Sequence, residues 1–337
     1  MSATLGDVGE KLDCEHEIGR RIRLRDLHIF LTVSQRGSMA QAAAQLGVSQ
    51  PAVSGVIADL ERTLGVPLFE RSTRGVKPTM YARAMMDCSV AAFDELKQGI
   101  RTLENLADPT AGELWIGCLE SVSASMLPPI LHQFMQRYPR VVVHLARLSS
   151  PTLEFPELCR RNLDLVLTRV LNRSSNDNDE LNIEPLFEDR LVVAAGARSR
   201  WARRRKVDLG DLVDEPWVLT PPDCWTNMTV MDAFRARGLK VPNVCLMTYS
   251  VPVRMNLAAS GPYITVFPGS VRPLDAYSSI RVLPIDLPAS PSTLAIVTLK
   301  NRMLNPVAQR FIEHLRDGAA ANSRLNADAL NHSANRV

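Results

Sequence analysis

The sequence predicts an α/β protein in three parts: a small helical N-terminal unit with a two-stranded β-wing, one long helix, and a larger domain of two α/β subdomains. Three observations predict this organisation. Glycines divide the first part of the chain into short helical patterns, a heptad repeat of apolar residues follows, and strand-like and helical patterns alternate from Gly112 onward. The predicted bounds of the three parts are 21–80, 81–109 and 110–316.

The composition is that of a globular chain of two or three domains, with 46% hydrophobic and 22% charged residues among 337. The chain has no run of about 18 apolar residues, and its acidic first twenty residues lack the apolar segment of a signal peptide. We therefore expect a cytoplasmic protein with no membrane partner. Polar composition also predicts disorder in residues 1–20 and 317–337.

No motif supports catalysis. The six cysteines and six histidines are scattered, without a C-x-x-C pair or a cluster at zinc spacing. The sequence also lacks a P-loop, a G-x-S-x-G elbow and a G-x-G-x-x-G turn after a strand. We therefore expect no metal, no cofactor and no enzymatic activity, and an enzyme on an α/β fold is the weakest of the alternatives.

The first three helices form a helix-turn-helix pattern. An apolar stripe from Leu24 ends at Gly37, and Ser38 then caps a short alanine-rich helix. Ser49 begins a third helix, whose first turn tolerates Pro51. Two short helices joined by a tight turn are typical of a DNA-binding helix-turn-helix. The polar face of the third helix carries Gln50, Pro51, Ser54, Gly55, Ala58 and Arg62.

The charge distribution agrees with a nucleic-acid partner. Between Arg21 and Arg83, nine Lys and Arg residues stand against four Asp and Glu residues. Gln and Ser can bond to base edges in the major groove, whereas Lys and Arg beside the helix bind phosphates. Residues 66–79 have the apolar anchor, basic tip and return of a β-wing; the alternative is a core helix beside a solvated basic loop. The basic residues that flank the uncharged face are Arg36, Arg62, Arg71, Arg74 and Lys77.

An apolar seam runs along the predicted long helix. Met86, Phe93 and Ile100 recur every seven residues, and Leu96 and Leu103 fill the alternate positions. A narrow seam directly after a helix-turn-helix favours a dimer, because dimeric proteins of this kind bind two half-sites. The alternative is a helix packed on its own domain.

Strand-like runs alternate with helical patterns in the C-terminal two-thirds of the chain. The alternation predicts largely parallel sheets, with a small-molecule site beyond the strand ends in a cleft between two halves. The predicted strands are Leu114–Cys118, Val141–Leu145, Leu163–Leu167, Arg190–Ala195, Trp217–Leu219, Tyr263–Phe267 and Thr293–Leu299. The predicted helices are Met126–Tyr138, Thr229–Arg237 and Asn305–Leu315.

The stretch "GSMAQAAAQLGVSQPAVSGVIADLERTLGVPLFERSTRGVKPT" resembles the winged helix-turn-helix of LysR-type transcriptional regulators almost residue for residue. Two features depart from that pattern: Gly55 stands where members commonly carry a basic or bulky residue, and residues 79–82 read T-M-Y-A where many read T-E-A-G. With the resemblance, the predicted DNA-binding residues are Ser38, Ser49, Gln50, Pro51, Ser54, Arg62, Arg71, Arg74 and Lys77. The predicted dimerisation residues are Met86, Phe93, Leu96, Ile100 and Leu103.

The segments "WIGCLESVSASMLPPILHQFMQRYP", "NLDLVLTR" and "LAASGPYITVFP" resemble the effector-binding domain of the same family. That resemblance implies a periplasmic-binding-protein-like fold, with subdomain I at 110–168 and 269–316 and subdomain II at 169–268. The two crossovers would fall near Thr168–Leu171 and Phe267–Ser270. The implied effector-binding residues are Ser121, Ser150, Arg169, Thr226, Asn227 and Ser250. Two alternatives stay open: Arg169 in a structural salt bridge at the hinge, and Ser121 and Ser150 as helix caps.

The resemblance implies a transcriptional regulator that binds double-stranded promoter DNA as a homodimer or homotetramer and responds to a small acidic or polar metabolite. RNA polymerase is a further partner that such a function implies. One alternative is a small-molecule binding protein without DNA activity. Another is a redox-responsive regulator based on Cys224, which lacks the usual partner cysteine because Ala233 stands there. An unreactive thiol beside the cleft is the favoured interpretation of Cys224.

Overall fold

The computed structural model describes residues 21–72, 75–148, 155–171, 180–271, 279–285, 287 and 292–319. The chain divides into two compact units, Met1–Lys97 and Gln98–Val337. The segment 1–20 and residues 320–337, for which the sequence predicts disorder, lie outside the described residues. Residues 317–319, also assigned to the disordered tail, are helical in the structure.

The first unit contains three short helices and a two-stranded wing. The helices are α1 (Leu24–Arg36), α2 (Met39–Leu46) and α3 (Gln50–Leu64), and the strands are β1 (Phe69–Ser72) and β2 (Gly75–Pro78). The two strands pair antiparallel and form the predicted wing.

Side-chain caps set the starts of α2 and α3. Ser38 accepts a hydrogen bond from the N–H of Gln41, and Ser49 accepts one from the N–H of Ala52, both at 3.4 Å. Each serine thus satisfies one of the free N–H groups of a first helical turn. The three helices enclose a small core whose fully buried members are Phe30, Val33, Ala42, Val53, Ile57 and Leu68.

A long helix, α4 (Met80–Ala107), continues from the first unit into the second. Its first half covers the core of the first unit, where Met86 and Phe93 pack against the buried side chains. Further along, Leu96, Ile100 and Leu103 are 47%, 58% and 68% exposed. The own-domain alternative therefore holds for Met86 and Phe93, and the exposed part of the predicted seam begins at Leu96.

The second unit contains two five-stranded sheets with helices on their faces. The strands are β3 (Ala111–Cys118), β4 (Arg140–Arg147), β5 (Leu165–Leu171), β6 (Leu181–Asp189), β7 (Leu191–Gly196), β8 (Trp217–Leu219), β9 (Val244–Met247), β10 (Ile264–Pro268), β11 (Ile280–Val282) and β12 (Ser292–Leu299). The helices are α5 (Glu120–Ser123), α6 (Leu127–Arg137), α7 (Pro156–Cys159), α8 (Trp225–Ala236), α9 (Val251–Ser260) and α10 (306–319).

Both sheets are mixed, although the alternation predicts largely parallel ones. The first has the order β4-β3-β5-β12-β6, in which β3 runs parallel to β4 and β5 while β12 runs antiparallel to β5 and β6. The second has the order β11-β7-β10-β8-β9, with β8 parallel to β9 and β10, and β7 antiparallel to β10 and β11. We call the first sheet with α5, α6, α7 and α10 the first subdomain, and the second sheet with α8 and α9 the second subdomain.

The chain passes from the first sheet to the second at Arg190, between β6 and β7, and returns between β11 and β12. The predicted passages at Thr168–Leu171 and Phe267–Ser270 are therefore wrong, and so are the subdomain bounds that depend on them. The error arises because β6 is an edge strand containing Pro185 and charged residues, which hide its strand character. The short β11 carries too few residues to make a pattern.

Each subdomain has its own core. In the first, the buried side chains of β3 and β12 meet Phe134 of α6 and Phe311 of α10, whose rings lie edge to face at 5.1 Å. In the second, Trp217 of β8 packs edge to face on Phe234 of α8 at 5.7 Å. Two separate cores with two chain passages between them leave room for a ligand cleft at their junction.

Candidate functional site

The outward face of α3 is uncharged over its first half. Gln50, Pro51 and Gly55 are exposed, and a Cβ atom added at Gly55 would meet nothing within 4 Å. Ser54 is half-buried, and its hydroxyl donates a hydrogen bond of 3.2 Å to Sδ of Met39 on α2. The helix therefore presents a smooth surface with an amide and small side chains, which suits contact with base edges.

Basic side chains accompany this face. Arg62 is exposed at the end of α3 and pairs with Asp59 at 2.6 Å, three residues before it. Arg71 and Lys77 are exposed on β1 and β2 of the wing. Arg74, for which the sequence predicts a wing contact, lies outside the described residues. Exposed surface pairs such as Arg62–Asp59 contribute little to stability, so Arg62 can exchange its partner for a phosphate.

A carboxylate of α3 holds the wing. Oε1 of Glu61 accepts hydrogen bonds from the N–H groups of Leu68 at 2.8 Å and Phe69 at 3.1 Å. At the other strand, the N–H of Val76 donates to the carbonyl of Gly37 at 2.9 Å. The orientation of the wing is thus tied to α3 and to the α1–α2 turn.

Gly75 makes this attachment possible. Its φ is +125°, which side chains rarely adopt, and a Cβ atom there would lie 2.4 Å from the carbonyl oxygen of Gly37. The R-G-V motif of the sequence therefore has a steric reason at its glycine.

Arg169 lies in a buried ion pair at the junction of the two subdomains. One of its terminal nitrogens donates to Asp189 at 2.6 Å and to Oγ of Ser270 at 3.0 Å, and the other donates to Oγ of Ser121 at 3.0 Å. Asp189 also accepts the N–H of Ser270 at 3.1 Å. The side chains of Arg169 and Asp189 are 6% and 1% exposed. The structural alternative for Arg169 therefore accounts for its contacts, and Ser121 supports it.

The other predicted effector residues have structural contacts of their own. The hydroxyls of Thr226 and Thr220 lie 2.6 Å apart, and the Asn227 amide donates to the Thr220 carbonyl at 2.6 Å, so both predicted residues hold the segment after β8. Ser250 caps α9 by accepting the N–H of Val253 at 3.4 Å. Ser150 lies outside the described residues.

A chain of polar contacts crosses the cleft between the subdomains. Oε1 of Glu120, from α5, accepts the N–H of Val251 at the start of α9 at 3.0 Å. Oε2 of Glu120 lies 3.8 Å from Arg147, whose guanidinium carbon lies 5.6 Å from the centre of the Tyr249 ring. The Tyr249 hydroxyl donates to the carboxylate of Asp223. Burial, with this hydrogen bond and nearby negative charge, raises the pKa of Tyr249 to about 12.

A second buried arginine, Arg254, belongs to α9. It is 2% exposed; one terminal nitrogen donates to the carbonyl of Val266 at 2.7 Å, and its guanidinium carbon lies 5.0 Å from the centre of the Phe267 ring. Burial lowers the pKa of Arg254 to about 10, and the nearby Cys224 and Glu120 partly oppose that shift. Sequence reasoning missed both Arg254 and Glu120, because neither stands in a motif.

Cys224 has the environment of an unreactive thiol. Burial raises the pKa of Cys224, and the neighbouring charge of Asp223 raises it further. The thiolate is the form that reacts, so both effects count against redox chemistry there. Cys245 is exposed, and its sulfur donates to the carbonyl of Trp217 at 3.2 Å. The cysteines that the structure describes are all free thiols.

Neither a metal cluster nor a membrane-spanning helix occurs among the described residues. In that part of the chain, no three His, Cys, Asp or Glu side chains come together as metal ligands would. No described helix combines the length and apolar character needed to cross a membrane.

Comparisons with solved structures agree with this architecture. A full-length CbnR complexed with its target DNA is 21% identical, with a TM-score of 0.58 over 88% of this chain and 100% of that one. A full-length OxyR variant from Pseudomonas aeruginosa is 22% identical, with a TM-score of 0.59 over 88% of this chain and 94% of that one. At these identities the likeness establishes the fold, and the predicted fold class is confirmed.

Sequence comparisons identify the family. GbpR of Azospirillum brasilense, an HTH-type transcriptional regulator, is 27% identical over 90% of this chain and 88% of its own. The transcriptional dual regulator GltC of Bacillus subtilis is 27% identical over 87% of this chain and 96% of its own. Residues 24–83 match the bacterial regulatory helix-turn-helix protein of the lysR family, and residues 107–320 match the LysR substrate binding domain. The chain therefore belongs to the LysR family of helix-turn-helix transcriptional regulators, with a DNA-binding unit and an effector-binding domain.

Proposed function

We propose that the chain binds double-stranded promoter DNA as a dimer or tetramer, with α3 in the major groove, and that a small acidic or polar metabolite in the cleft modulates this binding. The observation that carries the proposal is the exposed, uncharged start of α3 beside exposed basic side chains. Uncharged polar groups specify bases, and basic groups beside them position the protein on phosphates. Such a regulator acts in the cytoplasm beside the DNA and RNA polymerase.

The proposed division of labour gives Gln50 a base contact and Arg71 and Lys77 phosphate contacts. Ser49 and Pro51 shape the start of α3, and Ser38 does the same for α2. The helix start is the part of a recognition helix that contacts base edges.

Dimerisation is proposed through the exposed part of α4. Leu96, Ile100 and Leu103 follow each other at spacings of four and three residues, so they lie along one face of the helix. Their exposed apolar surface gains stability when a second copy of the helix covers it.

The test measures fluorescence anisotropy of a labelled fragment from the region upstream of the gene. Binding of the full chain should weaken steeply as salt rises, because phosphate contacts release counterions. Gln50→Ala should lose about 1–3 kcal/mol per half-site and relax discrimination at one base pair. Gln41→Ala removes an equally exposed amide on α2 and serves as the matched control.

A separate variant tests the phosphate contacts. Arg71→Ala should reduce the slope of log K against log salt by about 0.9 per half-site and weaken all sequences alike. Binding that does not depend on salt, or a Gln50→Ala variant that binds like Gln41→Ala, would contradict the proposed interface.

A further inference from the structure

The junction of the subdomains contains two buried arginines with opposite electrostatic situations. Arg169 has a counter-charge, because Asp189 lies 2.6 Å away. Arg254 is 2% exposed, and among the described residues no carboxylate lies within ion-pair distance of it and its Nε has no hydrogen-bond partner. A buried guanidinium without a counter-charge is costly unless an anion neutralises it.

The position of Arg254 on its helix aims it at the cleft. Arg254 is the fourth residue of α9, and helical side chains lean toward the N-terminus of their helix. The start of α9 is also where Glu120 of the other subdomain is bound, through the N–H of Val251 at 3.0 Å. Cys224 at the start of α8 and Glu120 both lie near enough to favour the charged form of Arg254. The open Nε therefore belongs to the same pocket of charge as the first turn of α9.

Glu120 already demonstrates the chemistry that this place accepts. Its carboxylate sits at a helix N-terminus, where the free N–H groups and the helix dipole favour an anion. The side chain is 23% exposed, and its second oxygen makes only a long contact of 3.8 Å with Arg147. A carboxylate held by one short hydrogen bond at a partly exposed position can leave, and another carboxylate can replace it.

We propose that the first turn of α9 and Arg254 form the binding site for the carboxylate of a small organic acid, and that Glu120 is its internal competitor. The proposal rests on the proposed effector-responsive function and names the chemical class of the effector. The incoming carboxylate accepts the N–H of Val251 and the Nε–H of Arg254. Because Glu120 links the subdomains through Val251, its displacement also exchanges a contact across the cleft for one with the ligand.

The test uses acetate as the probe on the purified full chain. Tryptophan fluorescence follows thermal unfolding, since all four tryptophans lie in the second unit. Sodium acetate is compared with sodium chloride and acetamide at equal ionic strength, and the acetate concentration that gives half of the rise in Tm is measured. Glu120→Ala should lower that concentration about tenfold, because it removes a tethered competitor that otherwise occupies the site.

Variants of the arginine complete the design. Arg254→Met should abolish the acetate response, while Arg254→Lys keeps the charge, loses the Nε–H and should retain a weaker response. Circular dichroism checks that each variant is folded; if Arg254→Met is not, the Lys variant decides by a weakened or unchanged response. Glu157→Ala removes an exposed carboxylate, one that pairs with Arg160 three residues on, and should behave like the unmodified chain.

The outcomes separate the two proposals. An equal response to chloride or acetamide, an acetate response that survives unchanged without the Arg254 guanidinium, or a Glu120→Ala variant no more sensitive than the unmodified chain would each overturn the carboxylate site. Anisotropy with the promoter fragment is measured in the same buffers. Failure of the unmodified chain to bind DNA would overturn the regulator proposal and leave the acetate result intact.

Discussion

Replacing Asp189 by Asn tests whether the Arg169–Asp189 pair holds the junction of the subdomains together. The amide preserves the shape and can still accept the Ser270 N–H, but it removes the charge opposite a guanidinium that is only 6% exposed. Breaking one side of a buried pair costs about 3–5 kcal/mol, because the remaining charge stays buried without compensation. With a urea slope of about 3 kcal/mol/M, the unfolding midpoint should fall by about 1 M or more.

The measurement is a urea titration of the full chain followed by tryptophan fluorescence, which reports on the second unit. Asp232→Asn is the matched control: Asp232 pairs with Arg235 at 3.0 Å, but both side chains are about two-thirds exposed, so its loss should cost less than about 0.5 kcal/mol. Adding Arg169→Met to the Asn variant should recover part of the loss, because it removes the uncompensated charge. Equal midpoints for the Asp189 and Asp232 variants would refute the reasoning.

Three further predictions concern the first unit and α4. Gly75→Ala places a Cβ 2.4 Å from the Gly37 carbonyl at a positive φ, so it should lower stability by about 1–3 kcal/mol and weaken DNA binding; an unaltered circular-dichroism melt contradicts this. Gly55→Ala should raise stability by about 1 kcal/mol, and Gly55→Arg should change operator affinity in the anisotropy assay, whereas equal affinity would place residue 55 away from the DNA. Leu103→Lys should shift sedimentation equilibrium toward the monomer without a lower Tm, and a persistent dimer would exclude Leu103 from the seam.

The first unit could be predicted in detail because its signals are local. Caps such as Ser38 and Ser49 act on N–H groups three residues away, and helix periodicity is visible within one turn or two. The heptad pattern of α4 is less informative, because the same spacing serves a dimer seam and a contact with the chain's own core. Met86 and Phe93 have the second role, which spacing alone does not separate from the first.

The cleft could not be predicted to the same depth, because its contacts join residues far apart in the sequence. Glu120 and Val251 are separated by 131 positions, and Arg169 and Asp189 meet only through the pairing of β5 and β6 with β12. The resemblance places Arg169 and Ser121 at the junction, but it does not indicate that they bond to each other. Arg254 has no sequence signal, since only burial without a counter-charge sets it apart.

The position of β12 has a consequence for synthesis of the chain on the ribosome. This strand lies between β5 and β6, which precede it by more than a hundred residues, and α10 follows it. Until β12 emerges, β5 and β6 have no partner between them, and the groove that Phe311 fills stays open to solvent. The second subdomain has no such dependence, because its strands form one continuous stretch. The later-numbered subdomain should therefore fold first, leaving the earlier one exposed to aggregation until translation is nearly complete.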